Sequence, residues 1–501
     1  MANQQENKGY EEKYNRAKLW EIGLFSFNNT ATNIYLFGFG FISYYSTGLL
    51  GLTALVISQM LGYIRIFDGV IDPGLGAFID KFYSRFGKYR PLMAIGNIIT
   101  AISFIILFQT HLVSEGWRFP ILVISLLIHK VGYSLQASVT KAGQAALTND
   151  PKQRPVFSMF DGIFTTLIFT GGQFVVSNFI YPQFQEYNSA FFANFIPYII
   201  GISAVLTVLA IIGISSKDTI ENFGIGENTV STKLKDYWPI IKGNRPLQTL
   251  AMAGAFVKLN TQLFSDQVTQ MMIFGILFGS FAISGQVSLI MVVPNVLIAM
   301  AASAVARNKG LKWSYVTWLI IGTISLIVLG FLMWNGEPGM IDFSNLSLYT
   351  IMFIVFYISS RSFSAAPSGL ILTMAADVSD YETSESGRYV SGMMGTIFSL
   401  TDSIASSLAP MSIGWVLAAV GHGGAYPDES TALTPSLRIA MLIIMVGIPV
   451  LANLLALGFM KFYALDRETM EGIQSKLSDM RRARSQAEAE RIAEVEEVVV
   501  D

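Results

Sequence analysis

Residues 68–96 read DGVIDPGLGAFIDKFYSRFGKYRPLMAIG. The stretch starts inside an apolar run, crosses a turn holding Lys81, Arg85, Lys88 and Arg90, and enters a second apolar run. Two such runs joined by a basic turn predict consecutive membrane helices with a cytoplasmic connection, because Lys and Arg are retained on that side. Within the first run Arg65, Asp68 and Asp72 fall at i, i+3 and i+7, one stripe of a helix. An ionisable group at mid-span costs roughly 2.5–3.5 kcal/mol, so the stripe faces a cavity or a partner rather than lipid. Gly62, Gly69 and Gly76 recur every seven residues on a neighbouring face, which suits close helix contact. Pro73 has no amide hydrogen, so the carbonyl of Gly69 loses its helical donor. Asp68, Asp72 and that carbonyl form a hard-oxygen set for sodium, or a proton site. Two carboxylates against one arginine leave a negative charge for a monovalent cation to neutralise. The competing reading is an Arg65–Asp68 pair that only locks helices, with Asp72 capped by a hydroxyl.

The rest of the chain extends this pattern. Of 501 residues 52% are hydrophobic and only 14% charged, with a mean hydropathy of +0.50. A soluble domain carries about 25% charged residues. Apolar runs lie at 20–49, 52–80, 91–111, 118–147, 155–180, 190–215, 246–277, 279–306, 311–333, 345–378, 389–420 and 435–463, each at least the ~20 residues of a spanning helix and several longer, as tilted or kinked helices are. The predicted fold is therefore all-α, twelve transmembrane helices in two six-helix bundles. Lys217, Lys233, Lys235, Lys242 and Arg245 follow span six, and Arg307, Lys309 and Lys312 follow span eight. The alternate loops hold Glu186, Glu337, Asp342, Asp428 and Glu429, which places both termini in the cytoplasm. Trp117, Trp313 and Trp334 fall near span ends, where interfacial tryptophans belong.

The expected organisation is a cytoplasmic segment 1–19, a first bundle 20–215, a linker 216–245, a second bundle 246–463 and a cytoplasmic tail 464–501. Basic segments between the second and third spans of each half, DKFYSRFGKYRP at 80–91 and ARNKGLKW at 306–313, form a weak internal repeat. The tail reads as a solvated or disordered segment, or as a regulatory or anionic-lipid contact. Residues 1–19 show no apolar core before a cleavage site, so a cleaved signal is not expected. A net charge of −2 gives no reason to expect nucleic acid, and the absence of cysteine excludes disulfides and thiolate metal sites.

Further ionisable residues lie where lipid does not tolerate them. Span four carries His129, Tyr133, Gln136, Thr140 and Gln144 as a polar stripe, with Lys130 and Lys141 beside it. Span seven offers Lys258, Gln262 and Asp266 at i, i+4 and i+8, and Arg361 stands among Ser359, Ser360, Ser362 and Ser364. Asp161 in span five and Asp402 in span eleven complete the set. Each alone is as readily a helix-to-helix bond as a ligand contact; together they predict a hydrated cavity. Lys130 is the one most readily assigned to structure. His111, His129 and His422 have no metal-ligand spacing, and no nucleophile elbow or phosphate loop occurs.

The pattern D-x3-D-P-x2-G at 68–76, followed by R-x-G-K-x-R-P at 85–91, resembles the glycoside–pentoside–hexuronide:cation symporters of the major facilitator superfamily. The segment ADVSDYETSESGRYVSG at 376–392 resembles that family's acidic segment before span eleven. The resemblance implies sugar uptake coupled to protons or sodium, alternating access about a central site, and a multi-pass protein of the inner membrane, working as a monomer without a cofactor. It implies Asp68 and Asp72 as cation residues. It also implies gating contacts by Asp80, Arg85, Gly87, Lys88, Arg90 and Pro91, with Asp377, Asp380, Glu382 and Arg388 across the bundle interface. The family's sugar-binding aspartates fall at Thr32 and Ala137, its tryptophan at Lys141 and its span-eleven lysine at Asp402, so its sugar-recognition set is not carried over. Lys141 and Lys258 are left to pair with Asp161, Asp266 or Asp402, or to meet a carboxylated sugar. The substrate residues expected are Thr32, Arg65, Tyr133, Gln136, Lys141, Asp161, Lys258, Gln262, Asp266, Arg361 and Asp402, for an uncharged or mildly acidic oligosaccharide. A lipid or lysolipid carrier is the main rival; it calls for an apolar cleft open to lipid. A membrane enzyme calls for a clustered catalytic set, and none is visible.

Overall fold

The computed structural model describes residues 15–148, 150, 153–219, 241–386, 391–480, 482 and 486. Within them the chain is helical, with an isolated bridge between Ser84 and Gly87. In the first half lie α1 (Leu19–Phe39, continued by Ile42–Gly48), α2 (Ala54–Lys81), α3 (Tyr89–Gln109), α4 (Glu115–Leu147), α5 (Pro155–Phe184) and α6 (Ser189–Ile214). The second half holds α7 (Arg245–Ser265, continued by Gln267–Leu277), α8 (Ala282–Lys309), α9 (Leu311–Trp334), α10 (Leu348–Ser386), α11 (Ser391–Ala419) and α12 (Pro435–Lys461). Side-chain caps start several of them. Thr53 accepts from the Val56 amide on α2, Asn188 from Phe191 on α6 and Asn244 from Leu247 on α7, supplying partners that first-turn amides otherwise lack.

Among the described residues, eight of these helices are long and apolar enough to cross a membrane: α3, α4, α5, α6, α8, α9, α10 and α12. Two boundaries differ from the sequence expectation. The run 246–277 breaks at Asp266, whose backbone is extended (φ −70°, ψ 135°). Helix α10 continues to Ser386 rather than ending at 378, so the acidic segment is helical as far as residue 386.

The halves repeat one packing plan. Helix α1 lies along α6 and α3 along α4; in the second half α7 lies along α12 and α9 along α10. Each half also buries an amide network. Gln136 on α4 donates to Asn28 on α1 and Thr207 on α6. In the other half Asn260 on α7 donates to Asn453 on α12, which donates to Thr323 on α9. Such bonds hold helices together where lipid removes the hydrophobic drive between them.

The halves meet through α2 against α11 and α5 against α8. Small residues allow the approach: Gly62 and Gly69 face Met411 and Ser403, Gly414 faces Ser58, and Gly285 faces Phe174 and Ser177. Contacts between halves concentrate at the end carrying the loops after α1, α5, α7 and α11. There Ala54 donates to Gly424 (2.8 Å), Tyr44 to Pro427 (3.2 Å) and Tyr426 to Ala54 (3.1 Å). One apolar cluster runs through both halves at this end, with Tyr44, Tyr187, Phe281 and Tyr426 in it. At the opposite end the core splits into two clusters, one per half. The second includes Ile473 and Leu477 of a helix over 467–480, so this part of the tail packs on the second half.

Candidate functional site

Between the halves lies a cavity of about 430 Å³, lined by Arg65, Gln262, Asp266 and Arg361 among the residues expected from the sequence. The break in α7 positions two of them. Extended backbone at Asp266 ends one helix, and its carboxylate accepts from the Val268 amide (2.9 Å) to start the next. Arg361 donates to the Tyr357 hydroxyl (3.1 Å), its guanidinium 5.6 Å from the Phe264 ring. Arg65 donates to the Ser406 carbonyl on α11 (2.9 Å), tying α2 to the other half. A second cavity of about 350 Å³ shares Asn295 and Arg361 with the first. A third, about 750 Å³, shares Thr261 and Ala365 with the second and continues toward the start of α7 and the end of α10. It is lined by Lys258 and Asp402, which pair at 3.0 Å.

Beside the central cavity Asp68 on α2 pairs with Lys130 on α4 at 2.8 Å. The Lys130 side chain is 9% exposed and Asp68 23%. Phe39 and Tyr133 lie over the ammonium, each ring centre 5.5 Å away. Phe39 also lines the cavity, so one ring separates it from the ion pair. Lys130 changes the charge count made from α2 alone, because it sets a second cation beside Arg65. The alternative Arg65–Asp68 lock is replaced by two separate contacts, Arg65 with Ser406 and Asp68 with Lys130. The side chains of Asp72 and Asp80 lie outside the described set, as does Arg388.

Other expected residues stand elsewhere. Thr32 is buried and bonds the Asn29 carbonyl of its own helix. Gln136 is fully buried in the α1–α4–α6 network. Tyr133 flanks Lys130, Lys141 is exposed on α4, and Asp161 is half-buried on α5. His129 sits against Tyr35, Phe39 and Phe104, an aromatic cage without metal-ligand geometry. The polar side chains Gln173, Gln267, Gln270 and Asn295 line the cavity and were not singled out from the sequence. Their signal was present: Asn295 follows Pro294 within an otherwise apolar stretch, and Gln173 interrupts span five.

The basic turn closes on a residue the sequence did not mark. The Asp218 carboxylate, fully buried, accepts from the amides of Lys88 (2.9 Å), Tyr89 (3.1 Å) and Arg90 (3.0 Å) and pairs with the Arg90 guanidinium (3.2 Å). It caps α3 where the helix dipole favours negative charge. Gly87 has φ +102°, and a Cβ there would overlap that carboxylate. Arg85 stacks over Phe86. The acidic end of α10 contacts its own half: Asp380 accepts from Gln474 (2.7 Å) and Glu382 from Asn244 (2.8 Å), while Asp377 is half-buried.

The model of the MFS/sugar transport protein family matches residues 23–467. The chain belongs to that family. Across this MFS/sugar transport family member, the uncharacterized symporter YnaJ of Bacillus subtilis (strain 168) is 23% identical, covering 92% of this chain and 94% of the relative. The isoprimeverose transporter of Lactiplantibacillus pentosus is 20% identical over 85% of this chain and 84% of its own. The crystal structure of the nucleoside transporter NupG shares the fold, with a TM-score of 0.61, 15% identity and coverage of 89% and 100% of the two chains. Family and helices together make the chain a multi-pass membrane protein.

Proposed function

We infer that this protein is a sugar:cation symporter of the inner membrane, binding its sugar in the central cavity and its coupling cation at Asp68 and Asp72. The observation that carries the reading is a cavity between two packed halves, lined by charged and amide side chains and separated by Phe39 from the Asp68–Lys130 pair. A volume of about 430 Å³ lies within the ~300–1,000 Å³ of small-molecule sites. Its lining places Arg65 and Arg361 against a single carboxylate, Asp266. We therefore favour a glycoside bearing a carboxylate, held at Arg361, with Gln262, Gln267 and Asn295 as hydrogen-bond partners for hydroxyls. That lining also speaks against a lipid carrier, which calls for apolar walls.

In this reading both termini are cytoplasmic, and the end sealed by Tyr44, Tyr187 and Tyr426 is the periplasmic one. The conformation is then inward-facing, with the cavities around Lys258 and Asp402 as the cytoplasmic path. The basic turn, held by Asp218, sets the end of α2 beside α3 as the halves rock. The reading is tested by uptake of labelled uronides and neutral glycosides into proteoliposomes under imposed sodium or proton gradients. Arg361→Ala should raise the KM for a uronide about 10- to 100-fold, the scale of a lost charge-assisted hydrogen bond, and change neutral glycosides little. Equal losses on both would argue that Arg361 shapes the cavity without recognising a carboxylate.

A further inference from the structure

The Asp68–Lys130 contact has features that a simple helix lock does not need. The Lys130 ammonium lies 2.8 Å from the carboxylate with nine-tenths of its side chain buried, and only Asp68 is its ion-pair partner among the described residues. Arg65 donates to the Ser406 carbonyl and Lys258 pairs with Asp402, so among the described residues Lys130 is the cation within ion-pair distance of Asp68. His129, the adjacent residue, is enclosed by Tyr35, Phe39 and Phe104. A carboxylate inside a span is costly when bare, so Asp68 needs a positive charge beside it in every state that crosses the membrane. An ammonium group and a bound monovalent cation satisfy that need by approaching the same oxygens.

We propose that Lys130 is a tethered counter-ion that occupies the coupling-cation position at Asp68 in the empty carrier. The inference rests on Asp68 being the coupling carboxylate. Loading the external cation displaces the ammonium, and release of the cation lets it return. The empty and the loaded carrier both then reorient with Asp68 neutralised, whereas a carrier with Asp68 bare does not. Phe39 relates this exchange to the sugar. The ring lines the cavity, lies 5.5 Å from the ammonium and stacks on His129 at 5.9 Å, so a sugar filling the cavity presses on the group that holds Lys130 in place. Lys130 is thus a positioning residue: it touches the ion site and not the sugar.

The test separates exchange from net flux, using the labelled sugar that wild-type proteoliposomes carry fastest. In exchange, with sodium and pH equal on both sides, the carrier reorients loaded in both directions and has no need of Lys130. Net efflux requires the empty carrier to return. Lys130→Ala should keep exchange within about threefold of wild type and lose net efflux by about tenfold or more, as expected for an unpaired mid-span charge. Lys130→Arg should restore net efflux. The double variant Asp68→Asn with Lys130→Ala removes both charges of the pair, and should regain downhill flux that no ion gradient drives. Loss of exchange and net efflux together in Lys130→Ala, with the protein monodisperse, would overturn the proposal, and so would net efflux at the wild-type rate. Failure of the coupling reading shows separately, as wild-type uptake indifferent to both gradients or as an Asp68→Asn variant still driven by one.

Discussion

At the scale of single residues, Gly87 and Asp218 give the sharpest stability test. Any side chain at Gly87 takes a left-handed backbone conformation and meets the Asp218 carboxylate. The conformation alone costs an L-residue roughly 1–2 kcal/mol. Gly87→Ala is expected to lower the thermal midpoint of the detergent-purified protein, and Asp218→Ala to lower it too by freeing three amides at the start of α3. An unchanged midpoint in both would show that the cap is not what holds this turn. The turn itself was legible in the sequence, as were Arg65, Asp68, Asp266 and Arg361. Its anchor was not, because Asp218 lies about 130 positions away and in a segment read as linker. Lys130 shows the same limit. Periodicity tells which residues share one helix face, but not which face of another helix stands opposite.

Helices add a second level of meaning. Helices α1, α2, α7 and α11 contribute Phe39, Arg65, Asp68, Lys258, Asp266 and Asp402, and α4 and α10 add Lys130 and Arg361. Ionisable side chains inside these spans are the trace of the site, because lipid does not tolerate them elsewhere. The break in α7 lies in a polar stretch, SDQVTQ at 265–270, within the run 246–277, and there an aspartate able to cap the next helix decides the local backbone. Small residues matter where helices cross between halves. A Cβ at Gly285 on α8 would come within 2.7 Å of the Phe174 backbone on α5. Overpacking of this kind costs roughly 1–3 kcal/mol. Gly285→Ala is expected to slow uptake and lower the thermal midpoint. Gly201→Ala, with no neighbour within 4 Å, should do neither. If the two variants behave alike, the α5–α8 contact is not a tight crossing.

For the whole molecule, the halves are joined at one end and, among the described residues, keep separate cores at the other, and transport by alternating access requires that arrangement to invert. The chain has no cysteine, so a pair of thiols can be introduced without background. Tyr44→Cys with Tyr426→Cys replaces rings whose centres lie 6.2 Å apart across the sealed end. A short cleavable thiol cross-linker should stop uptake, and cleavage should restore it. Uptake that continues in the linked protein would mean that this seal does not open. The fold class and the repeat were readable from apolar runs and basic turns. The sealed end was not, because its tyrosines and phenylalanines are indistinguishable from ordinary span-end aromatics until both halves are packed together. The central claim is ion-driven sugar uptake through Asp68. Its most direct test is the accumulation of a labelled glycoside panel, uronides included, by proteoliposomes holding wild-type or Asp68→Asn protein under an imposed sodium or proton gradient. Accumulation above the external concentration by wild type, lost in Asp68→Asn, is the expected result. Equal accumulation by both, or none by well-folded wild type with any glycoside under either gradient, would contradict it.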